Sequence, residues 1–390
     1  MKVLYLISCF GHGRGGHFYS LRATAQEMSQ HVEVSVLSIG TSVSPVLNDL
    51  DCYTSIFLSK FCWRSVRKVL AQIKNENAQV LHSFDSGAYF FARLSSLATA
   101  LPVIHTKCGG PSPKRFYPKV KDLVLYSVED VRFFSSSQRH KHTSLHHIPN
   151  RVASITQDSE AIERLRSRLD PGATIFLRIA RFSSSHKHSI MGSVGLVQEL
   201  NDRGHRAQLV VIGAIQDVDV FEEACRTASD DVMFITDDEY TTNASRLIDI
   251  ADYVIGTGRG AMEAAVLGKI VLAPVANSVI PVLLTEECIQ TCFEYNFSPR
   301  TPIETDPDSA IKAIAELIES EKIRTSQRAF LMAFSKRHFL ISSVAHKYHS
   351  LYQKARKCGL QPLDIALHLV LSRRRFNNRL EHYRTRETPI

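Results

Sequence analysis

Tyr253-Val254-Ile255-Gly256-Thr257-Gly258-Arg259-Gly260-Ala261-Met262-Glu263-Ala264-Ala265-Val266-Leu267-Gly268-Lys269-Ile270-Val271-Leu272-Ala273-Pro274 carries a whole structural argument in one short run. Tyr253–Ile255 has strand length and apolar content, Gly256–Gly260 is a glycine-rich turn, and Gly268 stops a short helix before a second strand at Ile270–Ala273. The start of such a helix presents amides and a positive dipole end to an anion. Glu263 lies one turn in, where a carboxylate accepts hydrogen bonds from ribose or sugar hydroxyls. Strand, glycine turn and helix in this order predict a parallel α/β sheet with a ligand at its carboxyl edge.

The same alternation extends in both directions. Ile175–Ala180, Gln208–Ile212 and Val232–Ile235 read as further strands, with Glu160–Leu169 and Ser193–Asn201 as helices between the runs. Asp306-Pro307-Asp308 reads as the cap and first turn of a helix over Ala310–Glu321. Nearer the start, Val3–Ile7, Val32–Leu37, Val80–His82, Val103–His105 and Leu123–Tyr126 are strand candidates, and His17–Gln30 carries apolar residues on one helical face. Turn chemistry at Ile148-Pro149-Asn150-Arg151 interrupts the pattern once. A chain of 390 residues exceeds what one hydrophobic core serves, so two α/β domains are expected. Phe330–Lys357 reads as helical, crossing back to the first domain. Residues 359–390 read as a basic tail, part amphipathic helix from Leu363 to Leu371 and part disordered.

Composition narrows the function classes. Hydrophobic residues make up 44% and charged residues 22%, the balance of an ordinary soluble globular chain. No apolar run approaches the roughly 18 residues of a membrane span, and Val3–Ile7 is too short for a secretory signal. The 8 cysteines form no Cys-x-x-Cys pair, which suits reduced thiols in the cytoplasm. Residues 1–150 hold 17 Lys or Arg against 9 Asp or Glu, so the first half favours an anionic partner such as phosphates or an anionic membrane. No nucleic-acid-binding motif is present, and nucleic acid is set aside.

Several residues could carry chemistry. Gly11-His12-Gly13-Arg14-Gly15-Gly16 satisfies Gly-x-Gly-x-x-Gly between a strand and a helix. A dinucleotide site would need an acid about 20 positions on, and Ser38-Ile39-Gly40 stands there instead. Arg181 and Lys187 follow a strand, where two cations can neutralise a leaving diphosphate without a metal. His82 and Asp85 also follow a strand; a structural histidine fits His82 as well as an acceptor contact does. Thr106–Lys121, with Lys107, Lys114, Arg115, Lys119 and Lys121, reads as a basic loop able to meet lipid phosphates. Asp217-Val218-Asp219 mimics an Asp-x-Asp metal motif but reads as an ordinary acidic loop, and His12, His140, His142, His146 and His147 lack metal spacing. No metal or cofactor is expected.

Taken together these stretches resemble glycosyltransferase family 4, retaining enzymes of GT-B fold that use sugar nucleotides, over most of residues 1–355. The resemblance rests on Gly15-Gly16, on Pro102-Val103-Ile104-His105, on Ile148-Pro149-Asn150-Arg151-Val152, on Arg181 and Lys187, and on Glu263-Ala264 with Gly268-Lys269-Ile270-Val271. It implies two Rossmann-like parallel-sheet domains facing across a cleft. Residues 1–150 would form the acceptor domain, 151–335 the nucleotide-sugar donor domain, and 336–358 the helix returning to the first, followed by the basic tail 359–390. Catalytic roles would fall to Arg181, Lys187 and His105, donor binding to Gly258, Arg259, Gly260 and Glu263, and acceptor contacts to Gly15, Gly16 and His82. The implied reaction moves a sugar from a UDP- or GDP-linked donor to a glycan or lipid-linked acceptor with retention, in polysaccharide or surface-glycan synthesis, at the inner face of the membrane. One departure stands out. The family's first motif glutamate should fall eight residues before Glu263, and Ile255 is there; Arg259 taking part of that role, or the backbone amides of the loop alone, are the expected substitutes. A nucleotide-sugar 2-epimerase and a catalytically silent binding module remain as alternatives, and an NAD oxidoreductase is disfavoured by the absent ribose acid.

Overall fold

Strands that are apolar at nearly every position must be covered on both faces, which is the condition of a parallel sheet flanked by helices. The computed structural model describes residues 1–113 and 116–387, with side chains through Glu381. It contains two α/β units, Met1–Asn150 with Ile341–Ile390, and Arg151–Leu340.

The first unit holds β1 (Lys2–Cys9), β2 (Glu33–Gly40), β3 (Tyr53–Phe57), β4 (Val80–Ser83), β5 (Val103–Lys107), β6 (Asp122–Leu125) and β7 (Ser144–His147). They form one sheet in the order β3-β2-β1-β4-β5-β6-β7, parallel throughout. The second unit holds β8 (Thr174–Ile179), β9 (Ala207–Ile212), β10 (Val232–Ile235), β11 (Tyr253–Ile255), β12 (Ile270–Ala273) and β13 (Val282–Leu283). Their order is β10-β9-β8-β11-β12-β13, with only β13 antiparallel. In each sheet the chain winds one way from its first strand and then returns to wind the other. The reversal falls between β1 and β4 in one sheet and between β8 and β11 in the other, and such switch points are where open α/β sheets bind ligands.

The two sheets share a local device that no sequence repeat announces. Gly40 ends β2 and Gly213 follows β9; a Cβ on Gly40 would strike the Cys9 carbonyl, and one on Gly213 the Ala180 carbonyl. Each second strand therefore presses its end against the end of the first, and only glycine fits. This explains Gly40 at the position where a dinucleotide site would hold its acid.

Three strands lie outside the sequence reading. β3, β7 and β13 are short edge strands, half-buried where the inner strands are sealed, so they lack the apolar runs that mark the others. The helix expected over Phe330–Lys357 is two helices, Glu321–His338 and Ala345–Lys354, separated by a 3-10 turn at Ile341–Val344. The break coincides with the passage from the second unit to the first. The tail is more regular than expected, because the helix begins at Pro362 and runs to Glu387.

That C-terminal helix is fastened to the first unit by charge. Asp364 pairs with buried Arg93 at 2.6 Å, with Arg139, and with the Lys119 amide at 3.1 Å. Phe376 enters the apolar core, ring to ring with Phe10 at 4.8 Å and Phe61 at 5.2 Å.

Candidate functional site

At the switch point of the second sheet, β8 and β11 run side by side with Arg178 opposite Ile255. Their ends deliver Arg181 and the Gly256–Gly260 loop to the same edge. Arg181 is exposed and makes no hydrogen bond or ion pair among the described residues. Lys187 opens the helix Lys187–Asp202, so its charge adds to the positive end of that helix. Its Nζ lies 2.7 Å from Glu223 Oε2, an exposed pairing that an incoming anion can replace. His186 precedes it and is held neutral, its pKa lowered to about 4 by burial and then by Arg178 and Arg181.

The glycine loop is tightly folded on itself. A Cβ on Gly256 would lie 2.5 Å from Ala261 Cα, so glycine lets the strand end touch the helix start. Gly258 sits at φ +53° and donates its amide to Phe297 O at 3.1 Å, while the Gly260 amide donates to Thr257 O at 3.1 Å. Those two amides are therefore already engaged, and the expected backbone cradle is narrower than the sequence suggests. The side chains compensate. Arg259, first in the helix Arg259–Val266, donates through Nη1 to Arg151 O at 2.7 Å and through Nη2 to Glu263 Oε1 at 2.9 Å. Glu263 is only 8% exposed, and burial raises its pKa against the lowering effect of Arg259. One carboxylate oxygen is thus fixed by arginine, and the other is left to accept from a ligand hydroxyl.

Behind the loop lies a residue that the sequence reading missed. Arg178 is 1% exposed and has no carboxylate partner among the described residues. It donates to Ile255 O at 3.0 Å and to Ser189 Oγ at 2.9 Å, with Thr257 Oγ1 at 3.4 Å. Burial lowers its pKa to about 10, so the guanidinium stays charged near neutrality. Arg178 ties the end of β11, the loop and the first turn of the Lys187 helix together. It does so from the strand beside Ile255, where the motif glutamate is missing. The signal was present: an arginine inside the apolar run Ile175-Phe176-Leu177-Arg178-Ile179 has to be buried.

The first unit treats its candidates differently. Gly15 caps the helix Gly16–Met28 and is half-buried, while Gly16 is exposed with open space around it. His105, expected at a bound sugar, is fully buried on β5. Its Nδ1 is 2.9 Å from Ser83 Oγ, its Nε2 is 2.8 Å from Tyr117 Oη, and its ring stacks on Tyr89 at 4.8 Å. His82, expected on the acceptor side, is also fully buried, held by Thr106 Oγ1 at 2.7 Å and Tyr352 Oη at 3.1 Å. Both are core histidines, because residues pointing sideways from a strand covered on both faces do not reach its carboxyl edge. Lys107 of the basic loop is likewise buried, paired with Asp130 at 2.9 Å; Lys114 and Arg115 lie outside the described residues.

Burial lowers the pKa of His82 and of His105 to about 3. A histidine depressed in the folded state stays neutral there, while the unfolded chain takes up its proton below a pKa of about 6.5. Stability from these two is therefore complete above pH 6.5 and is lost as pH falls from there toward about 3. Calorimetric unfolding at pH 5 is expected to take up about two more protons from this pair than at pH 8. Replacing both histidines with asparagine should remove that uptake.

Comparison with known proteins bears on the fold. Anabaena Alr3699/HepE in complex with UDP and glucose superposes with a TM-score of 0.65 at 15% identity, covering 91% of this chain and 100% of that one. A glycosyltransferase from Rickettsia africae gives 0.65 at 14%, covering 90% and 98%. The UDP-GlcNAc 2-epimerase of Neisseria meningitidis bound to UDP-GlcNAc gives 0.54 at 14%, covering 91% and 100%. No family model matches the sequence, and no curated protein matches it. The chain has the GT-B fold, with two parallel-sheet α/β units.

Proposed function

We propose that this chain is a glycosyltransferase that takes a nucleoside-diphosphate sugar as donor, in the manner of glycosyltransferase family 4. The observation that carries the reading is the edge between β8 and β11. An exposed Arg181, without a partner among the described residues, and the buried Arg259–Glu263 pair flank one switch point there. Solved structures of the same fold hold UDP with glucose, and UDP-glucose.

In this reading Arg181 and Lys187 meet the diphosphate, and Glu263 accepts from the ribose hydroxyls. As the anomeric C–O bond breaks, negative charge grows on the diphosphate, and positioned cations stabilise it. The acceptor hydroxyl forms the new C–O bond on the same face, giving retention, and its proton passes to the departing phosphate oxygen. No protein base is assigned to this proton. His105 and His82 are neutral, buried and fully hydrogen-bonded, so neither serves as that base. The acceptor is a glycan or a lipid-linked glycan, the setting is polysaccharide or surface-glycan synthesis, and an anionic membrane is the expected neighbour.

Calorimetric titration of the full chain with UDP, GDP and their glucose and mannose conjugates tests the reading. One nucleotide family should bind, and binding should weaken at least tenfold in Arg181→Ala. Binding by none of them would sink the proposal. Turnover of UDP-GlcNAc to its 2-epimer without any acceptor would assign the site to an epimerase instead.

A further inference from the structure

The helix Pro362–Glu387 has an inner face that Asp364, His368 and Phe376 bury, and an outer face that nothing among the described residues covers. Leu363 is 89% exposed, Leu367 43% and Val370 62%. Their spacing puts them along one line. Arg373 and Arg374, both exposed, continue that face by another turn. Asp364 is the sole acid between Pro362 and Leu380, and it is buried against Arg93. From Leu363 to Arg374 the outer face is thus apolar at first and cationic after, before exposed Asn378 and Glu381 continue the line.

A second exposed, cation-rich element of the same unit starts close to where this helix packs. Phe61 packs on Phe376 of the C-terminal helix, and two residues later stands Trp63, the only tryptophan, 68% exposed. Exposed Lys60, Arg64, Arg67 and Lys68 surround it in sequence, at the start of the helix Trp63–Asn75.

The charge pattern selects the occupant. A parallel second copy would lay arginines on arginines, and an antiparallel one would lay arginines on leucines. An anionic bilayer satisfies both halves, taking leucines at the acyl boundary and arginines at the phosphates. Tryptophan favours that same interface. No described helix is long and apolar enough to cross a membrane, so the helix would lie in the interfacial plane.

We propose that Leu363, Leu367, Val370, Arg373 and Arg374 of the C-terminal helix, together with Trp63, dock the first unit onto an anionic phospholipid bilayer. This names the membrane contact of the preceding reading, but it does not require the transferase chemistry, because vesicle binding and nucleotide binding are measured separately.

The lone tryptophan makes the test direct. The full chain is mixed with vesicles of phosphatidylcholine alone, or of phosphatidylcholine with phosphatidylglycerol, and tryptophan emission and co-sedimentation are followed. The anionic vesicles should shift emission to the blue and pull the protein down, and rising salt should weaken both effects. The triple variant Leu363→Ser, Leu367→Ser, Val370→Ser changes only exposed side chains and should keep its circular dichroism and nucleotide affinity. Its vesicle affinity should fall at least tenfold. Unchanged emission with no co-sedimentation of the wild type overturns the proposal, as does a triple variant that binds as well as the wild type. A concentration-dependent dimer that the triple variant abolishes, without vesicle binding, assigns the stripe to a second copy instead.

Discussion

Arg181→Ala is expected to lower sugar-transfer turnover by about 100-fold or more, the effect of losing one preorganised group at a developing charge. Thermal unfolding should be unchanged, because Arg181 is exposed and holds no partner among the described residues. This separation makes the prediction sharp. Most surface arginines that lack partners do nothing measurable, but this one stands at the carboxyl end of β8, beside the strand that leads into the glycine loop. Arg181→Lys keeps the charge and loses the two-pronged geometry, so partial recovery is expected. Lys187→Ala should also reduce turnover, although Lys187 must first leave Glu223. Steady-state rates with the donor that titrates best, measured beside unfolding midpoints, decide the matter. Full activity in Arg181→Ala with an intact fold would remove the cationic pocket from the mechanism.

Asp364→Ala is expected to lower the stability of the first unit by about 3–5 kcal/mol, the usual penalty for removing one partner of a buried ion pair. Asp364 is nearly sealed from solvent and faces Arg93, which is itself 2% exposed. Without the carboxylate, a guanidinium remains in the core with no counter-charge, while Arg139 and the Lys119 amide lose their acceptor as well. Replacing Arg93 and Asp364 together by methionine and leucine should restore most of the loss, because the isolated charge is what penalises the single variant. Denaturant unfolding of the three variants checks both statements. A single variant within about 0.5 kcal/mol of wild type would show that the helix is not held by this pair.

The candidate site was partly legible from the chain alone. The run Tyr253–Pro274 and the segment carrying Arg181 and Lys187 were readable because glycine, charge and apolar content change within a few residues, and the turn chemistry follows locally. Arg178 is not marked by loop chemistry; its importance comes from being inside a strand that both faces cover. His105 was misplaced for the opposite reason: a histidine ending an apolar strand looks ready for a ligand until Tyr89 and Tyr117 are seen to enclose it.

Alternation of short apolar runs with amphipathic segments was enough to determine two parallel α/β sheets, because buried strands and half-buried helices impose different periods on a chain. Which cations converge, which histidines are sealed, and which helix face stays bare were decided only by the tertiary structure. Strand order and side-chain enclosure depend on residues far apart in sequence, as with Arg93 and Asp364 or Arg178 and Ile255, and no local pattern encodes such meetings.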